Sequence, residues 1–157
     1  MSIKFDLPIN ESIQALELRM EKKIPQKHKN LFIAVILSRA TYKNHKNKLN
    51  ELYQLDKYLS LETYGDAILD LLVCEMIFKS APTQGMMTIE RSKLVNNARF
   101  QAVGKRILAD ILITSNYDEK DKKTYAKALE RLIGAMYYCF GKRTTETFIK
   151  KHSILTE

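Results

Sequence analysis

Apolar residues recur along this chain of 157 positions at intervals of three and four, and strand-like alternation is absent. Three-to-four spacing is the helical period, so the pattern predicts an all-α fold. Segment 9–23 (INESIQALELRMEKK) offers Asn10 as an N-cap with Glu11 behind it, and Ile13, Leu16, Leu18 and Met20 form an imperfect apolar stripe. Ile24-Pro25 closes that helix, because the residue before a proline avoids the α region. A second helix is predicted over roughly 28–40, with Leu31, Phe32, Val35, Ile36 and Ala40 inward. The basic, polar stretch YKNHKNKLN reads as a connection, followed by helices near 49–56 and 58–79. Ala81–Gly85 is the clearest loop, and helices near 87–97 and 98–110 follow it. A charged loop at 115–123, a helix at 124–139 broken by Gly141, and a last helix near 144–152 complete the chain.

The stretch SLETYGDAILDLL, residues 60–72, breaks several helix preferences at once. Glu62, Asp66 and Asp70 stand one turn apart, where like charges repel. Gly65 sits in the middle, although glycine costs roughly 1 kcal/mol relative to alanine inside a helix. Leu61, Ala67, Ile68, Leu69, Leu71, Leu72 and Val73 nearly encircle this helix, which predicts burial. Acids on a buried helix line an internal groove or carry a counter-charge. Paired carboxylates on one stripe also suit a hard divalent cation, which takes several oxygen ligands at once. A solvated acidic face is the plain alternative. A second segment, KTYAKALERLIGAMYYCFG at 123–141, sets Glu130 and Gly134 in another mostly apolar helix. Its glycine again suggests close helix approach, which would let Glu130 face Glu62 and Asp66.

Composition narrows the setting. A hydrophobic content of 45% and a charged content of 28% are ordinary for one globular domain with one core. Five glycines and three prolines leave few turn signals and argue against a many-stranded β fold. A net charge of +8 makes nucleic acid a reasonable partner, although many basic proteins bind none. Cys74 and Cys139 lie in apolar stretches and read as buried free thiols of a reducing compartment. His28, His45 and His152 are far apart, and no Cys/His metal spacing occurs. No apolar secretory core opens the sequence, and Asp70 and Glu75 interrupt the best apolar run. A location in the cytoplasm or nucleus, away from membranes, is expected.

Taken together, four blocks resemble the ribonuclease III catalytic domain. SLETYGDAILDLLVCEMIF resembles that family's signature helix, with the Leu-Glu, Gly-Asp-Ala and Leu-Asp-Leu elements kept. MTIERSKLVNNARFQAVGKRI, YAKALERLIGAMY and FIAVILSRATY resemble three further family segments in the same order and spacing. The resemblance covers roughly residues 26–150, leaving 1–25 as an N-terminal helical extension before a catalytic domain at 26–157. It implies an all-α homodimer that cleaves double-stranded RNA with Mg²⁺, for which Mn²⁺ can substitute, producing short 3′ overhangs. It assigns Glu62, Asp66 and Glu130 as metal ligands, Asp66 and Glu130 as catalytic, and Thr63 and Tyr64 to the dimer contact. It further suggests phosphate or RNA contacts from Lys43, Lys46, Lys48, Arg91, Lys93, Asn96, Asn97 and Arg99; solvated surface residues are the alternative for each.

One departure matters most. The family's other acid, an Asp three residues before Glu130, falls on Lys127. The exchange changes local charge by two units, and two unit charges ~4 Å apart interact by about 4 kcal/mol at an effective dielectric near 20. Lys127 is expected to pair with Glu130 and to weaken metal binding, unless it points away. A non-catalytic RNA-binding or scaffold protein of the same fold is therefore the rival expectation. The family's usual C-terminal double-stranded-RNA-binding domain has no counterpart in the resemblance, which lowers the expected RNA affinity and leaves a role for an accessory RNA-binding protein.

Overall fold

A computed structural model of the chain describes residues 6–156; the first five residues of the expected N-terminal extension lie outside the described residues. The all-α expectation holds. In chain order the helices are α1 (Ile9–Met20), α2 (Lys29–Ile36), α3 (Arg39–Asn44), α4 (Lys46–Tyr53), α5 (Leu61–Phe78), α6 (Gln84–Leu94), α7 (Asn97–Leu108), α8 (Thr124–Phe140) and α9 (Lys142–Lys151). Short 3₁₀ turns at Gln26–His28, Leu55–Tyr58 and Asn116–Lys120 join some of them.

The core forms around α8, whose residues Ala126, Ala128, Leu129, Leu132, Ile133, Ala135 and Met136 are all fully buried. Helices α2, α5, α7 and α9 pack around it. A helix apolar on most of its sides is central, because little of its surface suits water. Two glycines set how closely its neighbours approach. At Gly65 on α5, a Cβ would fall inside the backbone carbonyl of Glu130 on α8; at Gly134, a Cβ would stand 3.1 Å from the Gly65 nitrogen and the Leu61 carbonyl. Gly104 on α7 likewise lies against the Tyr125 carbonyl of α8.

Several boundaries differ from the sequence pattern, each for a local reason. Helix α1 starts at Ile9 with Pro8 at its cap, so Asn10 is an interior residue and not the N-cap. Its buried stripe is Ile9, Ile13, Leu16 and Met20, whereas Leu18 is 80% exposed. The expected second helix is two helices. Leu37 turns extended, Ile113 donates its N–H to the Ile36 carbonyl at 2.8 Å, and the Ser38 N–H returns a bond to Ile113 at 3.0 Å. Ser38 then caps α3 through a 3.1 Å bond from the Thr41 N–H. Residues 42–50 are thus helical on both sides of a turn at His45 and not a connection; the fully buried Leu49 anchors α4 although its neighbours are polar. Cys74 and Cys139 are half-buried and unpaired, where full burial was expected.

Gly65→Ala should destabilise the fold by about 3 kcal/mol or more, since a backbone carbonyl cannot move aside as a side chain can. Gly85→Ala on α6, where a Cβ would meet nothing within 4 Å, should be neutral or stabilising by about 0.5–1 kcal/mol. Urea unfolding of both variants checks the contrast.

Candidate functional site

Packing α5 against α8 through two glycines puts the edges of both helices into one depression. Glu62, Thr63 and Asp66 of α5 and Lys127 and Glu130 of α8 share a cleft of about 380 Å³. Arg39 closes one side and the Asn96-Asn97 junction between α6 and α7 another. The three predicted carboxylates, Glu62, Asp66 and Glu130, are therefore brought together, and Lys127 shares their cleft. A larger groove of about 1100 Å³ lies between the C-terminal half of α5 and α9, and none of the predicted site residues lines it. Its size reflects an open apolar trough, so the smaller cleft is the better candidate for chemistry.

The charges in the small cleft are internally balanced. Glu130 is only 3% exposed, and the Lys127 ammonium sits 3.4 Å from its Oε2. Burial pushes the Glu130 carboxyl above the usual carboxylate range; Lys127 opposes this, while the Asp66 and Glu62 carboxylates add to it. Glu62 is handled differently. Burial alone would raise its pKa, but the Arg39 hydrogen bond and the Arg131 and Arg39 charges outweigh that and hold the carboxyl below its ordinary value. Arg39 donates from both Nε and Nη2 to the two Glu62 oxygens, the Nε bond measuring 3.1 Å. Arg131 Nη1 donates to Glu62 Oε1 at 2.8 Å. Asp66 is exposed at the mouth.

Arg131 and Arg39 are the residues that reasoning from sequence overlooked. Arg131 is buried, and its Nη2 also donates to the Val35 carbonyl at 3.2 Å and the Leu37 carbonyl at 3.0 Å. It thereby satisfies carbonyls at the C-terminus of α2, where backbone acceptors otherwise lack partners. Burial pulls its pKa down and Glu62 pulls it back up. A signal for this did exist: a cation inside ALERLIGAM, a run otherwise apolar but for Glu130, requires a carboxylate from elsewhere.

The predicted RNA contacts fall into several groups. Lys43 and Lys46 are exposed on α3 and α4. Lys48 pairs with Glu51 at 4.0 Å, Lys93 with Glu90 at 3.1 Å, and Arg91 with Asp70. Surface pairs of this kind contribute about 0–1 kcal/mol each, so they can be exchanged for phosphate. Arg99 instead donates to the carbonyls of Ile154 and Thr156, tying the C-terminal segment to α7. Asn96 caps α7, its Oδ1 accepting the Arg99 N–H at 2.8 Å, and Asn97 faces the cleft. Thr63 also faces the cleft, whereas Tyr64 begins an outward stripe. Along α5, Tyr64, Ala67, Leu71, Cys74 and Phe78 follow a 3-4-3-4 spacing; Tyr64, Leu71 and Phe78 are 38%, 46% and 75% exposed.

A divalent cation does not fit this donor set as it stands. Two of the three carboxylates already carry cationic partners, and three side-chain cations balance three acids. Among the described residues no three of His, Cys, Asp and Glu stand together in a way that could hold a metal ion. Also among them, no helix is long and apolar enough to cross a membrane.

Comparison with known proteins adds to this geometry. The model of the ribonuclease III domain matches residues 59–141. A Ribonuclease 3 of a Wolbachia strain from Brugia malayi is 30% identical over 149 residues, covering 90% of this chain and 60% of that protein. One from Chlorobaculum tepidum is 37% identical over 102 residues, covering 60% of this chain and 38% of that protein. The chain thus spans between about two fifths and three fifths of these relatives. A solved nuclease domain of ribonuclease III from Campylobacter jejuni, described for flexibility in a region involved in dimer formation, superposes with a TM-score of 0.69 at 27% identity. That match covers 89% of this chain and 94% of the other.

Arg131→Met should cost about 3 kcal/mol, since the buried Val35 and Leu37 carbonyls lose their donor and Glu62 keeps only Arg39, and urea unfolding reads it. Glu62→Gln should lose less, with a definite pH signature. Because the folded pKa of Glu62 is depressed, its stabilisation is fully present above the ordinary glutamate value of about 4.3 and fades as pH falls through the folded value. The gap between wild type and Glu62→Gln should therefore be widest at neutral pH and close in acid.

Proposed function

Since this chain belongs to the ribonuclease III family, we propose that it is an endoribonuclease-type domain directed at double-stranded RNA, with its hydrolytic step impaired by Lys127. The observation that carries this reading is the shared cleft of Glu62, Asp66 and Glu130 at the α5–α8 contact. Family chemistry implies a divalent cation, Mg²⁺ or Mn²⁺, held by carboxylates at that place. In this chain Lys127 supplies positive charge from within, so a metal has to displace an ammonium from a carboxylate of raised pKa. No bond-breaking step is assigned to the cleft in that state.

Duplex RNA fits the surroundings through charge and shape. A-form RNA is recognised mainly through phosphates and 2′-hydroxyls. Of the predicted contacts, Asn96 and Asn97 border the cleft, and the exposed Lys43 and Lys46 line the neighbouring pocket beyond Arg39 and Glu62. Affinity resting on few phosphate contacts is modest and falls with salt, and an accessory RNA-binding protein would compensate.

A homodimer belongs to the same proposal. The 3-4-3-4 stripe of α5 is the spacing by which two helices pair, and on this helix it faces solvent. Met86 and Ile89 on α6 are 47% and 57% exposed and extend the apolar surface. A two-fold pairing of this face would set two clefts along one duplex. Leu71→Asp should shift the chain from dimer to monomer in sedimentation, with the helical circular dichroism unchanged.

The Lys127–Glu130 pair also favours a second reading, a non-catalytic RNA-binding or scaffold role. Incubation of long duplex RNA with wild type and with Lys127→Asp, each with Mg²⁺ or Mn²⁺, separates the two. The Asp form should bind metal at least roughly tenfold more tightly, given the two-unit charge change, and cut to short 3′ overhangs while wild type cuts poorly or not at all. Binding without cleavage by either form favours the scaffold. Equal cleavage by both removes the assigned role of Lys127.

A further inference from the structure

Arg39 and Glu62 form a partition with a cavity on each side. One side is the acidic cleft; the other is a separate pocket of about 370 Å³ between α2, α3 and the turn leading into α5. The chemistry of this second pocket is different. Its walls are Tyr42 and Tyr58 with leucine side chains, and Leu59, 65% exposed, stands at its lip. Lys43, Lys46, Arg39 and the buried Arg131 contribute four cations against the single Glu62 carboxylate. Aromatic and aliphatic walls under an excess of positive charge suit a flat heterocycle that carries an anion.

The pocket is also held open by its own bonds. Asn50 Nδ2 donates to Tyr42 Oη at 3.0 Å, and the Asp56 N–H donates to Asn50 Oδ1 at 2.9 Å. One asparagine thus fixes the Tyr42 ring to the 3₁₀ turn that carries Tyr58. On the opposite wall, Arg39 is fixed by Glu62. A pocket whose walls are already placed loses little side-chain freedom when filled.

We propose that this pocket takes one unpaired nucleotide: the base between Tyr42, Tyr58 and Leu59, its phosphate on Lys43 and Lys46. The size supports a single residue, since 370 Å³ is at the small end of pockets that enclose a ligand. Bases inside a duplex cannot enter it. Sequence- and structure-selective RNA recognition generally acts on bases splayed out of the helix and stacked on aromatic side chains. A bulged or looped nucleotide beside the duplex in the acidic cleft reaches the pocket across the shared partition. This assignment rests on the duplex-RNA reading above and adds to it a preference for interrupted duplexes.

Fluorescence anisotropy in metal-free buffer tests it, with a labelled perfect duplex, the same duplex carrying a one-nucleotide bulge, and free adenosine and guanosine monophosphates as competitors. Wild type should bind the bulged duplex roughly tenfold more tightly than the perfect one, as expected for one base stacked on aromatic rings. Tyr58→Ala should erase that advantage and leave perfect-duplex binding unchanged. Leu59→Glu, a surface change that the fold tolerates, should do the same through charge at the lip. Equal binding of both duplexes by wild type overturns the pocket while leaving the duplex reading intact. If neither duplex binds, the duplex reading fails. Monophosphate binding that Tyr58→Ala removes then keeps the pocket as a free-nucleotide site, and its absence overturns the pocket as well.

Discussion

The architecture depends on one contact in which no side chain intervenes: the Gly65 backbone of α5 against the Glu130 carbonyl of α8. Any Cβ at Gly65 would hold the two helices apart. With none, the helix edges meet, and residues at the contact or within one turn of it, Glu62 and Asp66 on one side and Lys127 and Glu130 on the other, face a common cleft. Gly134 repeats the device one turn further along α8. The two interior glycines, locally unfavourable, are compensated by the close packing they permit.

Close approach carries an electrostatic consequence. Carboxylates drawn into a half-buried cleft lose hydration, and each must find a partner or shift its proton affinity. This chain answers with its own cations. Arg131 joins α8 to α5 through Glu62 and to α2 through the Val35 and Leu37 carbonyls, so one guanidinium holds three helices in register. Lys127 offsets the Glu130 charge from one turn away within α8 and links no second helix. The charge balance that makes the fold self-sufficient is also what opposes a divalent cation. Stability and metal affinity draw on the same carboxylates here.

Helix α5 separates its tasks by face. Leu61, Gly65, Ile68, Leu69, Leu72, Val73 and Ile77 are buried. Glu62 and Asp66 occupy the edge toward α8, Asp70 pairs with Arg91 on α6, and Tyr64, Leu71 and Phe78 look outward. Eighteen residues thus serve a core, a charged cleft and an exposed apolar stripe, which explains why the helix looked nearly apolar all round and yet carried three acids.

The helical period alone determined the all-α class, and spacing within two segments singled out Glu62, Asp66, Glu130 and the interior glycines, because period and local cost are properties of neighbours in sequence. Resemblance added Lys127 as the odd member. What sequence did not disclose were features made by distant partners. The break between α2 and α3 follows from the pairing of Ile36 and Ser38 with Ile113, and the helicity of 46–53 follows from Leu49 finding the core. Arg131 and Arg39 escaped notice because an arginine's role is set by what it reaches, here Glu62 from two other helices. Which acids are already neutralised is likewise a question of distance and burial, and only the folded chain brings those charges within range of one another.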